Sequence, residues 1–366
     1  MLRRRFIQGV ATGVAGLWLP SVYGLTFDEY KAQQSISFQD YKARFKAAEL
    51  VFSGEIRQHW MTAELSSSHQ FVQYSNDLRV RSKVDFKSGT ITLEAQGSSP
   101  AESGRKIKQA LQDLLDLNTQ QAYSNDPVQQ LVDRSDAKGN AKTVPKQPVV
   151  GDLYQGVPVA EILATAKTSI EEDRKPVAKV VIKLPEGSTS KKASQYKAMV
   201  EKYAAKEKIS AALVMAVMHT ESYFNPMARS HIPAFGLMQI VPESAGLDTT
   251  QYLSGEARIM QAAELYQPET NIQSGTAYLH LLYYRYLSHI DDPVSRLYCT
   301  IAAYNTGAGN VARSFTGKTN VAQAAVMINR LQPQQVYMHL RKNLPYTETR
   351  DYLEKVTNRI ALYTAI

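Results

Sequence analysis

The side chain in this sequence best placed for acid–base chemistry is Glu221. It is the first strongly charged residue after Ala211-Ala212-Leu213-Val214-Met215-Ala216-Val217-Met218, a run apolar on every face of a helix and so a helix of the core. A carboxyl delivered from such a helix into an interior or cleft is partly desolvated. Desolvation raises its pKa, because the charged form is the one that loses water. A carboxyl kept protonated near neutral pH is what a general acid requires. The chemistry-free reading makes Glu221 the first solvated residue past a buried helix, or the partner of an arginine such as Arg229. The nearest acids downstream are Glu243 and Asp248. Tyr304 and Asn305 stand where a helix meets the turn at Gly307 and Gly309, a position suited to presenting polar side chains.

Other chemistries are excluded by what the sequence lacks. His219-Thr220-Glu221 has the His-x-Glu order of zinc deaminases, but the chain holds a single cysteine, Cys299, so the Cys-x-x-Cys that chemistry needs is missing. There is no His-Glu-x-x-His and no glycine-rich phosphate loop. No metal and no cofactor is therefore expected. One cysteine also leaves no internal disulfide, and no cysteine near the N-terminus to carry a lipid anchor.

The elements that must position Glu221 fall into two regions of different texture. Over residues 25–185 the pattern is mixed α+β. Tyr41, Phe45, Ala48 and Phe52 mark a helix over 38–52, and 83–86 and 90–93 alternate around Lys87-Ser88-Gly89 as a β-hairpin with glycine in the left-handed position. A second helix is expected over 104–117, a long polar loop over 123–148, and a strand over 177–184. Nothing in this region suggests chemistry. Pro185 to Lys192 is a compact polar break and the expected domain boundary. Residues 186–366 then read as all helical: a stripe of Tyr196, Met199, Val200 and Tyr203, a helix capped by Ser210, and helices over 268–287, 293–304 and 349 to the end.

The chain has 366 residues, 44% hydrophobic and 21% charged, enough for two domains with their own cores. Its net charge is +8, of which Arg3, Arg4 and Arg5 supply three. The helical region holds 18 basic and 14 acidic residues and 15 of the 21 tyrosines. That favours an anionic partner, but not nucleic acid, which asks for a stronger basic patch. Residues 1–24 run from the arginines through a weakly apolar stretch, Gly9 to Leu19, to Pro20 and Gly24. This is the order of a secretory signal and is too short to span a bilayer. The Arg-Arg-x-Phe-Ile order resembles a twin-arginine export signal. The expected site of action is the periplasm, with at most peripheral association with the outer membrane or wall.

Four blocks stand in order from Glu221: Glu221-Ser222-Tyr223-Phe224-Asn225-Pro226, Ala234-Phe235-Gly236-Leu237-Met238-Gln239-Ile240-Val241-Pro242, Ala302-Ala303-Tyr304-Asn305-Thr306-Gly307-Ala308-Gly309, and Leu344-Pro345-Tyr346-Thr347-Glu348-Thr349-Arg350-Asp351-Tyr352. Together they resemble the catalytic domain of the soluble lytic transglycosylases, which has a goose-type lysozyme-like fold. Residues 269–275 resemble that family's Asn-Ile-x-x-Gly helix start, and the N-terminal region resembles, in overall organisation, the accessory domain of the membrane-bound lytic murein transglycosylases C. The resemblance implies that Glu221 is a single acid/base acting on the bond between N-acetylmuramic acid and N-acetylglucosamine. The muramic C6 hydroxyl would then replace water and leave a 1,6-anhydro end, so no second catalytic carboxylate is expected. It further implies that Ser222 hydrogen-bonds near the site, that Gly236, Met238 and Gln239 form a wall for the sugar, and that Tyr304 and Asn305 contact it. Tyr346 would support the developing positive charge, while Glu348 is expected to be a cap or a partner of Arg350. The substrate implied is the glycan strand of peptidoglycan, with cell-wall machinery proteins as partners of residues 25–185. A hydrolytic muramidase on the same fold and a catalytically silent wall-binding protein are the alternatives.

Overall fold

The computed structural model describes residues 27–133 and 144–364. The signal read over residues 1–24 lies outside the described residues, as does the 134–143 part of the expected loop. The architecture is α+β: a first half built on a small antiparallel sheet, then a helical second half.

Helix α1 (Phe27–Ile56) buries Phe38, Phe45, Ala48, Phe52 and Ile56, one stripe at steps of three, four and seven. Strands β1 (Gln70–Tyr74), β2 (Val80–Asp85) and β3 (Thr90–Gln96) follow. The β2–β3 hairpin forms at the expected place, with Gly89 at φ 66°. The Asp85 carboxylate closes its tip by accepting the Lys87 and Ser88 N–H groups at 3.0 and 2.9 Å. Helix α2 (Pro100–Asp116) starts where Ser99 accepts the Glu102 N–H and proline enters the first turn. It lies across β2, β3 and β5 and buries Ile107, Leu111 and Leu114.

The long loop expected over 123–148 is instead partly helical. Helix α3 (Thr119–Ser124) opens with a capping box between Asn118 and Gln121, and α4 (Pro127–Asp133) opens where Asp126 accepts the Val128 N–H at 2.9 Å. Both are made by caps rather than by apolar periodicity, which is why the polar composition hid them. After α5 (Val159–Ala164), strands β4 (Lys167–Glu172) and β5 (Pro176–Lys183) complete a sheet of order β1-β2-β3-β5-β4. Every residue of β4 is exposed, so this edge strand carries no alternation to read.

The polar break ends earlier than expected: Gly187, at φ 76°, is the last residue before α6 (Ser188–Glu207). Lys192 sits in its second turn, fully buried, and donates to Asp152 at 2.7 Å and to the Val149 carbonyl at 3.0 Å. Helix α7 (Ala211–Glu221) is buried on all sides, as its composition requires. Ser210 occupies its N-cap position, but the side chain accepts no N–H there. The remaining helices are α8 (Leu247–Ser254), α9 (Ala262–Leu265), α10 (Pro268–Leu281, running on through a wider turn over Leu282–Tyr286), α11 (Pro293–Thr306), α12 (Ala308–Thr316), α13 (Val321–Ile328), α14 (Pro333–Asn343) and α15 (Thr347–Tyr363). Helices α6 and α15 flank α7. Among the described residues no helix is long and apolar enough to cross a membrane.

The two halves meet around Arg229, whose buried guanidinium pairs with Asp126 and stacks over Phe45, 5.5 Å from the ring centroid. Asp126 therefore both caps α4 and neutralises a buried cation. Removing one partner of a buried pair strands the other charge, at a cost of about 3–5 kcal/mol. Asp126→Ala is expected to lower the melting temperature by about 10 °C, and Asp126→Ala combined with Arg229→Met to recover part of that loss. Calorimetric melting of the three proteins checks it; a single variant indistinguishable from wild type would refute the coupling.

Candidate active site

Glu221 closes α7, and the chain then breaks sharply. The Ser222 N–H returns to the Met218 carbonyl at 3.0 Å, and the next two residues, Tyr223 and Phe224, stand at φ 49° and 59°. Non-glycine residues in the left-handed region cost about 1–2 kcal/mol each and persist only where surrounding bonds impose them. Here Ser222 does so. It is fully buried, its hydroxyl accepts the Phe224 N–H at 3.1 Å, and it lies 2.8 Å from the Leu237 carbonyl and 3.1 Å from that of Met218. Asn225 continues the turn, accepting the Met227 N–H at 3.0 Å and donating to the Ser68 carbonyl at 3.3 Å.

A pocket opens over the Glu221 carboxyl. Glu221, Thr220 and Tyr223 come from the end of α7, Asn305 from α11, and Glu348, Tyr352, Lys355 and Arg359 from one face of α15. The first half closes the pocket with Ser68, His69 and Lys87, a contribution that the reading of residues 25–185 as free of chemistry missed. Burial pushes the Glu221 pKa up to about 8, and the negative charge of Glu348 adds to the rise. Tyr352 opposes it. The Tyr352 hydroxyl is buried close by, with no hydrogen bond of normal geometry.

The last carbonyls of α7 find their partners in side chains from elsewhere. Arg359 donates to the His219 carbonyl at 3.3 Å, to Thr220 Oγ1 at 2.9 Å and to the Tyr223 hydroxyl at 2.5 Å, a cation at the negative end of the α7 dipole. His69 Nε2 lies 3.3 Å from the Thr220 carbonyl. Burial, aided by nearby cations, lowers the pKa of His69 and brings that of His219 down to about 4, so both rings are neutral at pH 7. Both pack edge-on against Tyr223, 5.1 and 4.8 Å away.

The remaining residues expected at the site divide. Asn305 lines the pocket, with Oδ1 held by Thr349 Oγ1 at 2.7 Å so that its Nδ2 donors remain for the pocket. Tyr304 lies behind it, donating to the Met238 carbonyl at 2.9 Å; burial, then the Glu221 charge, holds its pKa well above 10. Ser222, Gly236, Met238 and Gln239 do not line this pocket. Gly236, at φ 76°, lets the backbone pass where a Cβ would strike the Leu265 carbonyl and the Asn271 amide. Asn271 in turn accepts the Met238 N–H at 2.7 Å. The Met238 sulfur is buried against Gly275, and the Gln239 amide bonds back to the Gly236 carbonyl at 2.9 Å. They are the scaffold that supports Ser222 and Tyr304. Tyr346 is 57% exposed at the N-cap of α15, two residues before Glu348, and is not among the pocket-lining residues. Glu348 faces the pocket rather than Arg350, which donates to Thr347 Oγ1 at 2.6 Å and the Lys342 carbonyl at 3.3 Å. Glu243 pairs with Lys42 at 2.7 Å, Asp248 accepts from Tyr286 at 2.9 Å, and Arg229 belongs to Asp126 rather than to Glu221. Tyr352 could have been found at the end of the fourth sequence block; Ser68, His69 and Lys87 left no sequence signal.

Comparison with known proteins fits this geometry. Residues 198–327 match the transglycosylase SLT domain, and residues 28–130 match the N-terminal domain of membrane-bound lytic murein transglycosylase C. The chain is 34% identical to the membrane-bound lytic murein transglycosylase C of Salmonella arizonae, over 85% of this chain and 87% of that one. The chain belongs to the lytic murein transglycosylase C family. The Klebsiella pneumoniae relative is 34% identical over 83% of this chain and 85% of its own length. Among solved structures, the 70 kDa soluble lytic transglycosylase of Escherichia coli is 27% identical over 46% of this chain and 24% of that chain, with a TM-score of 0.36.

The raised pKa of Glu221 has a consequence for stability. The unfolded carboxyl titrates near 4.5 and the folded one at about 8. Between those values the folded state holds the extra proton. Its stability is therefore full below about 4.5, falls as pH rises toward 8, and then levels off. Glu221→Gln removes that loss, so its melting temperature is expected to exceed the wild type by several degrees at pH 8.5 and by little at pH 4.5. Melting curves at both pH values check this, and an equal difference at both would refute a buried neutral carboxyl.

Proposed function

We propose that this member of the lytic murein transglycosylase C family cleaves the β-1,4 bond between N-acetylmuramic acid and N-acetylglucosamine without water, using Glu221 first as acid and then as base. What carries the reading is the Glu221 carboxyl at the end of a helix with no other charge, held protonated near neutral pH by burial. Its proton passes to the glycosidic oxygen as the muramic C1–O bond breaks. The carboxylate left behind then takes the proton of the muramic C6 hydroxyl as that oxygen bonds to C1, which closes a 1,6-anhydro ring and restores the acid. Asn305, with its amide donors turned to the pocket, and Tyr352, beside the acid, are the residues placed to contact the sugar or steady the carboxyl. The first half supplies a wall of the same cleft. We further propose that residues 1–24 export the chain to the periplasm. The one cysteine, Cys299, is buried in α11.

One observation favours a second reading: Glu348 gives the pocket a second carboxyl, the arrangement a water-activating glycosidase would use. Two variants separate the readings. Glu221→Gln is expected to reduce product release from wall sacculi by about 10²–10⁴-fold, with wild-type products lacking one water by mass spectrometry. Glu348→Gln is expected to keep the same anhydro products while moving the alkaline limit of activity below that of the wild type, because its negative charge helps hold the proton on Glu221. Loss of activity in Glu348→Gln, with water incorporated by the wild type, would favour hydrolysis.

A further inference from the structure

The cleavage chemistry does not call for the excess of positive charge that surrounds Glu221. With Glu221 protonated and His69 neutral, Glu348 is the one anion among the pocket-lining residues. Against it stand three cations, Lys87, Lys355 and Arg359. Arg359 is committed to the end of α7 through three hydrogen bonds. The other two are free: Lys87 and Lys355 are exposed, and neither ammonium forms a hydrogen bond or ion pair with the described residues. They reach the pocket from different elements. Lys87 stands at the tip of the β2–β3 hairpin, fixed by the Asp85 carboxylate beneath it. Lys355 follows Glu348 by two turns on the pocket face of α15.

We propose that Lys87 and Lys355 together form a carboxylate-binding subsite that selects muramyl units carrying an acid next to the bond to be cut. The proposal rests on the reading of the site as one that cleaves muramyl glycan. The N-acetylated sugar backbone of such a strand is neutral, so its anionic groups are the carboxylates of the attached peptide or, where the peptide has been removed, of the lactyl group itself. Two unpaired ammoniums facing one cleft repel each other and gain from a shared anion. Because both are exposed, little desolvation opposes that gain.

The test measures binding to the Glu221→Gln protein, with and without Lys87→Gln and Lys355→Gln. Three ligands are compared: peptide-bearing glycan fragments, the same fragments stripped of peptide by an amidase, and N-acetylglucosamine oligomers, which carry no acid. The paired lysine changes are expected to weaken binding of an acid-bearing ligand about tenfold or more and to abolish its salt dependence, with the oligomers held within twofold. Loss confined to the peptide-bearing fragments assigns the peptide acid, and loss confined to the stripped ones assigns the lactyl acid. Equal loss on all three ligands, or none on any, overturns the subsite. The wild type is assayed on sacculi in parallel. Absence of anhydro products there would overturn the proposed function, while the binding comparison would still decide the lysines.

Discussion

The structure depends on one constraint: a helix that is apolar all round must end in the core, and its end must be satisfied. Helix α7 leaves its last carbonyls unbonded within the protein, where orphaned groups are costly. Every partner recruited to meet them defines a side of the cleft. Arg359 brings α15, Ser222 brings the loop at Leu237, and His69 brings the first half of the chain. Glu221 is buried at this point beside the Tyr352 hydroxyl, and burial keeps it protonated.

The strain beside the acid follows from the same constraint. Tyr223, Phe224 and Gln239 all sit in the left-handed region, within the two loops that Ser222 joins. Together they cost a few kcal/mol, offset by full burial of Phe224 and by the hydrogen bonds of Asn271, which fixes the second loop from behind. Left-handed backbone at Tyr223 turns its ring back under Arg359, where the guanidinium lies 4.7 Å from the ring centroid. A relaxed helix continuation would carry the chain past the pocket.

Much of this was legible in the sequence, and what was not shares a cause. The apolar run before Glu221, the hairpin glycine and the helix stripes are local patterns, and each formed where it was read. The caps that build α3 and α4 are local too, but polar, so composition disguised them. What the sequence hid is the meeting of remote segments: Ser68, His69 and Lys87 reach Glu221 from more than 130 positions away. The same limit applies to Gly236, Met238 and Gln239, read as a wall for the sugar and found bonded behind the pocket. Resemblance to the four blocks finds the neighbourhood of the acid, but whether a side chain faces substrate or supports the backbone that does is decided by Asn271 and Gly275, on a different helix. Tyr346 and Tyr352 lie in one block, and only the helical phase of α15 turns the second toward the acid.

An acid that must stay protonated and a substrate that is anionic make opposing demands on one cleft. Cations that attract the strand also favour ionisation of the acid, and a cation within a few ångströms of Glu221 would draw its pKa down. The chain separates the two demands in space. Neither Lys87 nor Lys355 figures among the influences on Glu221, whereas Glu348, on the same helix face, pushes its pKa up. The lysines stay solvated, where screening shortens their reach, while the acid stays buried. A carboxylate seated between them would be neutralised where it binds, away from the buried acid, so an acid-bearing unit would arrive without disturbing the proton on Glu221. Recognition and proton donation would then not compete, through nothing more than where each charge meets water.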